Sequence, residues 1–448
     1  MNERDKLPQE IGNKILNILV ILALIISVLG FMVDFSNTLN YGAVDLRNRV
    51  VGARLLLEGK DPYYFKWQPG MSDRLLDPLD DPKRMVSRVT VPPTVLILQA
   101  PLARLNYLTQ KIIWFLLQWG LLLGTVAIFY KLAASSIKRN LLLIISLLFF
   151  SGSYFWRFHV ERGQIYILYV FLLSCAYWLA QKPFKTFKHN HILSGFLVGL
   201  TASFRPPVVL MFIPMFLYKQ WQLLIGSIVG VLSGLFISFA LAGTLIWQNY
   251  LSALKGYTEP SSGTNLGNSP NINIIYPEQI EGMNNVAKYI NFNSRDTSFI
   301  NFFQLKLGLD IDPRIFLVLL GVVLLAISLF IYKNRRNGNT INLVFISGVF
   351  IYLISEYFIP TPRSTYNNVQ WIMPVALIIL TYKDLDFLSN KLNILLLVSL
   401  FFNIGFTWMS MGIRTSDLMI ILYTSLMFLG LVTRRNKTRE ELTLEESI

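Results

Sequence analysis

Apolar residues run along this chain in long uncharged blocks joined by short polar links. Blocks at 15–33, 111–131, 140–158, 163–181, 221–246, 314–332, 340–359, 367–382, 391–411 and 416–433 approach or reach the roughly 20 residues that a helix needs to cross a bilayer. Two further segments differ. VPPTVLILQAPLARL (91–105) carries three prolines, and HILSGFLVGLTASFRPPVVLMFIPMFLYK (191–219) is interrupted at Arg205-Pro206-Pro207. Proline removes a helical hydrogen bond and clashes with the preceding turn. The first segment is therefore expected not to cross, and the second to cross twice or to re-enter as a hairpin.

Charge sets the expected orientation. The clusters Lys131/Lys138/Arg139, Lys182/Lys185/Lys188, Lys333/Arg335/Arg336 and Arg434/Arg435/Lys437/Arg439 should all lie in the cytoplasm, because basic residues favour that side. This predicts an all-α polytopic membrane protein, residues 1–448 forming one domain, with about twelve crossings and both termini inside. Two large outer loops follow, 34–110 and 247–313, and a cytoplasmic tail at 434–448. In the first loop acidic and basic residues nearly balance. The second is rich in Asn, Ser, Gly and Pro, with an amphipathic stretch WQNYLSALKGY.

Composition agrees: 53% of residues are hydrophobic and only 15% charged, at a mean hydropathy of +0.49. The net charge of +14 sits mainly in the links, so it reports orientation rather than a nucleic-acid partner. Residues 15–33 are long for a signal-peptide core and lack a small-residue cleavage site behind them, which predicts an uncleaved first helix. Cys175 is the only cysteine, and His159, His189 and His191 have no metal-ligand spacing, so neither a disulfide framework nor a Cys/His metal site is expected.

Span interiors carry few formal charges, whereas polar residues gather at the expected outer ends: Asp34, Asp45, His159, Glu161, Arg162, Gln164, Arg205, Glu356 and TPRSTYNN (361–368). Ion-coupled carriers usually place ionisable groups near the bilayer midplane, so this distribution favours a site at the membrane surface. In AVDLRNRVVGARLLLEGKDPYY (43–64), Leu46, Val50, Ala53 and Leu57 form a narrow apolar stripe suited to a helix lying on the membrane face. Asp45 heads it as either a helix cap paired with Arg49 or a general base for an acceptor hydroxyl. Asp34 is the alternative base. Arg205 and Arg363 lie next to prolines, where a guanidinium suits a phosphate or, more simply, an interfacial or ion-paired position. Gly163 lets the Glu161–Gln164 link turn, and Gln164 can bind a sugar hydroxyl or satisfy helix ends. Asp384/Asp386 and Asp310/Asp312 form isolated Asp-x-Asp pairs, the second resembling a helix cap before Pro313.

The order of these pieces resembles the GT-C membrane glycosyltransferases of the DUF2029 family, glycosyltransferase family 87. The resemblance is carried by Asp45 through Tyr63, then VPPTVLILQAPLARL, RGQIYIL (162–168), FRPPVVLMFIP (204–214) and TPRSTYNNVQWIMP (361–374). It implies membrane-parallel helices in the first outer loop, a catalytic Asp45 and a polyprenyl-phosphate sugar donor. Relatives that transfer mannose tend to carry histidine where this chain has Tyr366, Asn367 and Asn368, so the sugar is left as mannose-like. An Asn-x-Ser segment of the second loop would fall at Asn265–Ser269 or, altered, at Asp296-Thr297-Ser298.

The resulting expectation is an inverting hexosyl transfer to a lipid or glycan acceptor at the outer face of a bacterial-type plasma membrane, without metal or other cofactor. Asp45 would be the base. Arg205, Arg363, Arg49 and Arg162 would hold the donor phosphate, and Gln164, Glu161, His159, Tyr63, Tyr366, Asn367 and Asn368 the substrates. The rival readings are a flippase or carrier of lipid-linked sugars and a lipid-linked glycan ligase or polymerase.

Overall fold

The computed structural model describes residues 3–81, 83–181, 189–257, 281, 297–309, 311–335, 340–359, 363–382 and 415–433, and every regular element among them is helical. The order is α1 (Glu3–Asn40), α2 (Val44–Leu57), α3 (Pro93–Ala103), α4 (Tyr107–Leu132), α5 (Ser136–Leu143), α6 (Tyr154–Glu161), α7 (Tyr166–Gln181), α8 (Asn190–Phe204), α9 (Phe212–Leu217), α10 (Trp221–Ala242), α11 (Thr244–Tyr257), α12 (Pro313–Asn334), α13 (Thr340–Phe358), α14 (Ile372–Thr381) and α15 (Thr415–Thr433).

Among the described residues, five helical stretches are long and apolar enough to cross a membrane: Lys14–Asn40, Tyr107–Leu132, Trp221–Ala242, Pro313–Asn334 and Thr340–Phe358. A sixth arises if Ser136–Ser151 and Tyr154–Glu161, bent by 57° at their junction, count as one. Of the expected crossings, the others fall on shorter apolar helices, or at 391–411, which lies outside the described residues. The breaks that shorten them are local. A 3₁₀ stretch, Pro206–Met211, follows Arg205, and another, Thr365–Trp371, precedes α14. Pro93–Ala103 has 11 residues, only about 16 Å of helix, too short to cross.

Helices α8 and α10 pack almost backbone to backbone. A Cβ on Gly199 would lie 1.9 Å from the Ser227 carbonyl oxygen, and one on Gly226 2.1 Å from that of Ile192; such close approach requires glycine. Contacts rise together along both helices, from Gly195 against Leu223 to Ser203 against Gly234, so the two run parallel. Residues 206–217 therefore return across the protein between them. This brings the Arg205 turn to the end where α10 finishes, and Thr94 fastens α3 there by donating to the Ser203 carbonyl at 2.7 Å. Helix α13 is buried from Leu343 to Tyr357, whereas α1, α10 and α12 turn rows of exposed apolar side chains outward, the pattern of lipid-facing helices. Lys138 donates to the Leu380 carbonyl at the far end of α14 from the Thr365–Trp371 turn. The link that holds Lys138 thus lies opposite the Arg205 end.

The first loop corrects one expectation. Helix α2 does not leave a polar face open: Val44 and Leu46–Leu55 are buried and, of the stripe, only Leu57 is exposed. The chain after α2 folds back over it, packing Trp67, Leu75, Leu76 and Leu79 onto Leu46, Val50, Val51 and Leu55. Its buried arginines bind main-chain carbonyls. Arg47 donates to Leu76 and Asp73, and Arg54 to Ala103, Arg74 and Leu105, at 2.6–3.1 Å. Helix α11 adds the amphipathic face read from the sequence, with Trp247, Tyr250 and Ala253 packed against Tyr63, Val86, Val89 and Leu96.

Candidate active site

Asp45 is not the helix cap. The residue before α2 is Ala43, held in the left-handed region at φ 43°, and Asp45 falls in the first helical turn. Its carboxylate thus points away from its own helix towards the α6–α7 link and the returning loop. Arg162 grips both oxygens, Nε to Oδ2 at 2.8 Å and Nη2 to Oδ1 at 3.0 Å. Gln164 Nε2 donates to Oδ2 at 2.6 Å, and Arg88 Nη2 to Oδ1 at 2.8 Å.

The link is seated by its backbone. Leu46 N donates to the Arg162 carbonyl at 3.1 Å, while Gly163, at φ +67°, lies so close that a Cβ there would be 2.6 Å from that of Leu46. The Gln164 carbonyl accepts from Trp114 Nε1 at 3.1 Å and Gln118 Nε2 at 2.7 Å. Arg49 does not pair with Asp45 as its spacing suggested. Its guanidinium donates to the Gly163 carbonyl and lies 5.6 Å from the Trp114 ring, because the closed α6–α7 turn already fills the space beside it. His159 also serves this turn: Nε2 accepts from Ile167 N at 3.3 Å, Nδ1 meets Gln118 Nε2 at 3.3 Å, and the ring stacks on Trp156. Glu161 is buried at the end of α6.

Burial works to raise the Asp45 carboxyl, but Arg162 and Arg88, helped by the Arg162 hydrogen bonds and Arg49, outweigh it and hold the group below the usual carboxylate range. Arg88 was missed from the sequence, where nothing in its spacing separates it from Arg84; only the return path of the loop brings it to Asp45. It also reaches Asp77 at 3.3 Å, itself bound by Asn48 at 2.9 Å. Lys66 braces the segment through Asp80 and the carbonyls of Asp81 and Val86. Burial raises the Asp80 carboxyl to about 6 in spite of Lys66.

A second cluster gathers around Glu356. Arg205 donates to Oε1 from Nη2 at 2.6 Å and Nε at 3.1 Å; Gln370 donates to Oε2 at 3.2 Å, and Arg363 Nε stands 3.8 Å from Oε2. Arg363 further binds Thr297 Oγ1 and Asn368 Oδ1, both at 2.7 Å, with its guanidinium 3.9 Å from the Tyr357 ring centre. Two guanidiniums share one carboxylate, leaving a surplus positive charge. Thr297 N donates to the Arg363 carbonyl at 2.6 Å, which places Thr297 beside this cluster; Asp296 and Asn265–Ser269 lie outside the described residues.

A contact path joins the clusters. The Arg162 guanidinium lies 5.7 Å from the Phe158 ring, Phe158 5.3 Å from Tyr366, Tyr366 5.8 Å from Tyr166, and the Arg205 guanidinium 5.3 Å from Tyr166. Asn367 is buried in the same turn, its Oδ1 without a hydrogen-bond partner among the described residues. Tyr63 lies outside the path. Its hydroxyl donates to the Val91 carbonyl at 3.0 Å and its ring packs on Tyr250, tying the first loop to α11. Asp34 is buried against Arg157 at 3.5 Å, away from Asp45. Asp312 caps α12 through Arg314 N at 2.8 Å; Asp310, Asp384 and Asp386 lie outside the described residues.

Among the described residues, whose regular elements are all helical, one end thus carries a guanidinium-clamped carboxylate, Asp45, beside a cluster with surplus positive charge around Glu356. The chain belongs to glycosyltransferase family 87, whose family model matches residues 90–355. It is therefore a sugar-transferring enzyme rather than a carrier. The match takes in Arg162, Gln164 and Arg205; Asp45, Arg88 and Arg363 fall outside it and rest on geometry. Comparison with curated proteins and with solved structures finds no match.

Proposed function

We propose that this glycosyltransferase moves a hexose, mannose-like, from a polyprenyl-phosphate sugar to a lipid or glycan acceptor, with inversion, at the outer face of the plasma membrane. The observation that carries the reading is the pairing of one partly open carboxylate, Asp45, with a half-buried cation of a separate cluster, Arg205, across an aromatic path. The separation of this end from the basic link at Lys131–Arg139 supports the outer face.

In the reaction the acceptor oxygen attacks the anomeric carbon as the bond from that carbon to the phosphate oxygen breaks. The electron pair leaves with the polyprenyl phosphate, and the acceptor proton passes to Asp45. Arg205 and Arg363 meet the charge growing on the phosphate. Two arginines hold Asp45 ionised and so limit it as a base. Of these, Arg88 is 22% exposed and on irregular chain, whereas Arg162 at 2% is sealed in. An acceptor entering beside Asp45 displaces Arg88 first, and loss of that counter-charge raises the proton affinity of Asp45.

The test is transfer from polyprenyl-phosphate sugars by purified protein, followed as release of polyprenyl phosphate. Asp45→Asn is expected to lower turnover by roughly 10²–10⁴ while donor still binds. Undiminished transfer by this variant would overturn the assignment.

A further inference from the structure

We infer that Tyr166 and Tyr366 form the subsite that holds the sugar ring of the donor, through hydrogen bonds between their phenol hydroxyls and sugar hydroxyls; this rests on the donor reading above. Tyr166 was not singled out by the sequence, where it is one aromatic among many in an apolar run.

Three observations support the subsite. First, the two rings, 5.8 Å apart, occupy the path between the Asp45 cluster and the Arg205 cluster, where the anomeric carbon must sit if Asp45 takes the acceptor proton and Arg205 the phosphate. Second, both are half-buried while their neighbours Ile165, Ile167, Thr365 and Asn367 are buried, so these two side chains border an opening. Third, neither hydroxyl forms a hydrogen bond among the described residues. Several tyrosines of the core do, Tyr63 to the Val91 carbonyl, Tyr107 to the Gly42 carbonyl, Tyr177 to Asn342 and Tyr357 to Asn368, whereas the buried Tyr218 hydroxyl also has no partner among the described residues but stands apart from both clusters. Two adjacent phenols that border an opening and have no partner among the described residues are available to a ligand that both donates and accepts.

A polyol has that chemistry. A phosphate is better served by Arg205 and Arg363, and an isoprenoid chain has no use for a hydroxyl. Packing fixes the rings in place, with the Arg205 guanidinium 5.3 Å from Tyr166 and Phe158 5.3 Å from Tyr366. Phosphate and sugar contacts are thereby built as one unit.

The test uses full-length protein in lipid nanodiscs and three probes: polyprenyl-phosphate mannose, polyprenyl-phosphate glucose and unglycosylated polyprenyl phosphate. Tyr166→Phe and Tyr366→Phe keep ring and packing but remove the hydroxyl. Each should weaken binding of the preferred sugar lipid by about fivefold to tenfold and leave binding of the bare lipid phosphate unchanged. Equal weakening of all three probes assigns the tyrosines to the phosphate or the tail and overturns the subsite. Unchanged binding, or wild-type protein that holds neither sugar lipid more tightly than the bare one, overturns it as well. The outcome is separable from the proposed mechanism, whose own failure is read from Asp45→Asn transfer.

Discussion

The clusters at Asp45 and Glu356 have the same composition, one carboxylate between two arginines, yet open opposite charges to the site. Each has one sealed arginine, Arg162 or Arg363, both 2% exposed, and one open arginine, Arg88 at 22% or Arg205 at 28%. The difference is in the carboxylates: Asp45 is 14% exposed and Glu356 2%. A partly open carboxylate can exchange a proton with a substrate. A sealed one can only fix its cations, because an uncompensated buried charge is costly. The first cluster therefore offers a base and the second a cation. In both, the sealed arginine builds the site and the open one is available to a ligand.

Neutralising the two carboxylates tests this contrast most severely. Asp45→Asn should remove nearly all turnover, as above, at a smaller cost in stability than Glu356→Gln because its carboxylate is the more exposed. Glu356→Gln should do the reverse, costing up to about 3–5 kcal/mol of stability through its unpaired arginines while the surviving protein still transfers sugar. Thermal unfolding and turnover on the same samples check both; equal loss of turnover would erase the distinction.

Gly163 tests whether the first cluster depends on its seat. Alanine there meets a positive φ costing about 1–2 kcal/mol and a contact with Leu46 too short to tolerate. Gly163→Ala should lower the unfolding temperature and, by shifting Arg162 and Gln164 from Asp45, reduce turnover. Gly120→Ala, where an added Cβ meets nothing within 4 Å, is the control.

The smallest effect sharpens the role of Arg88. Removing a cation beside a carboxylate destabilises its ionised form and raises its pKa. Arg88→Gln should therefore move the acid limb of kcat/KM, which reports the free enzyme, to higher pH than in wild type. An unmoved limb would show that Arg88 does not control the base. Asp80, raised to about 6, titrates near this region, so the comparison is made in an Asp80→Asn background.

Much of the architecture was legible in the sequence because bilayer thickness and backbone hydrogen bonding act on local composition. Apolar length marked the helices now found at α1, α4, α10, α12 and α13, and prolines marked the break after Arg205. Gly163 and Gln164 stood out in so short a link. The character of α2 was not legible. Its apolar stripe suggested a surface helix, but distant residues of the returning loop covered its polar side, and no local period records what will pack on top.

By itself, the sequence determined that this is a helical membrane protein and placed its polar residues at span ends, with Asp45 and Asp34 as the candidate carboxylates. It also carried the family assignment. Only the tertiary structure decided which cations hold Asp45. Arg49, four residues away on the same helix, turns to a carbonyl, whereas Arg162 and Arg88 arrive from 117 and 43 residues along the chain. Helical spacing constrains which residues share a face, but the partner of a buried charge is set by whatever chain closes over it.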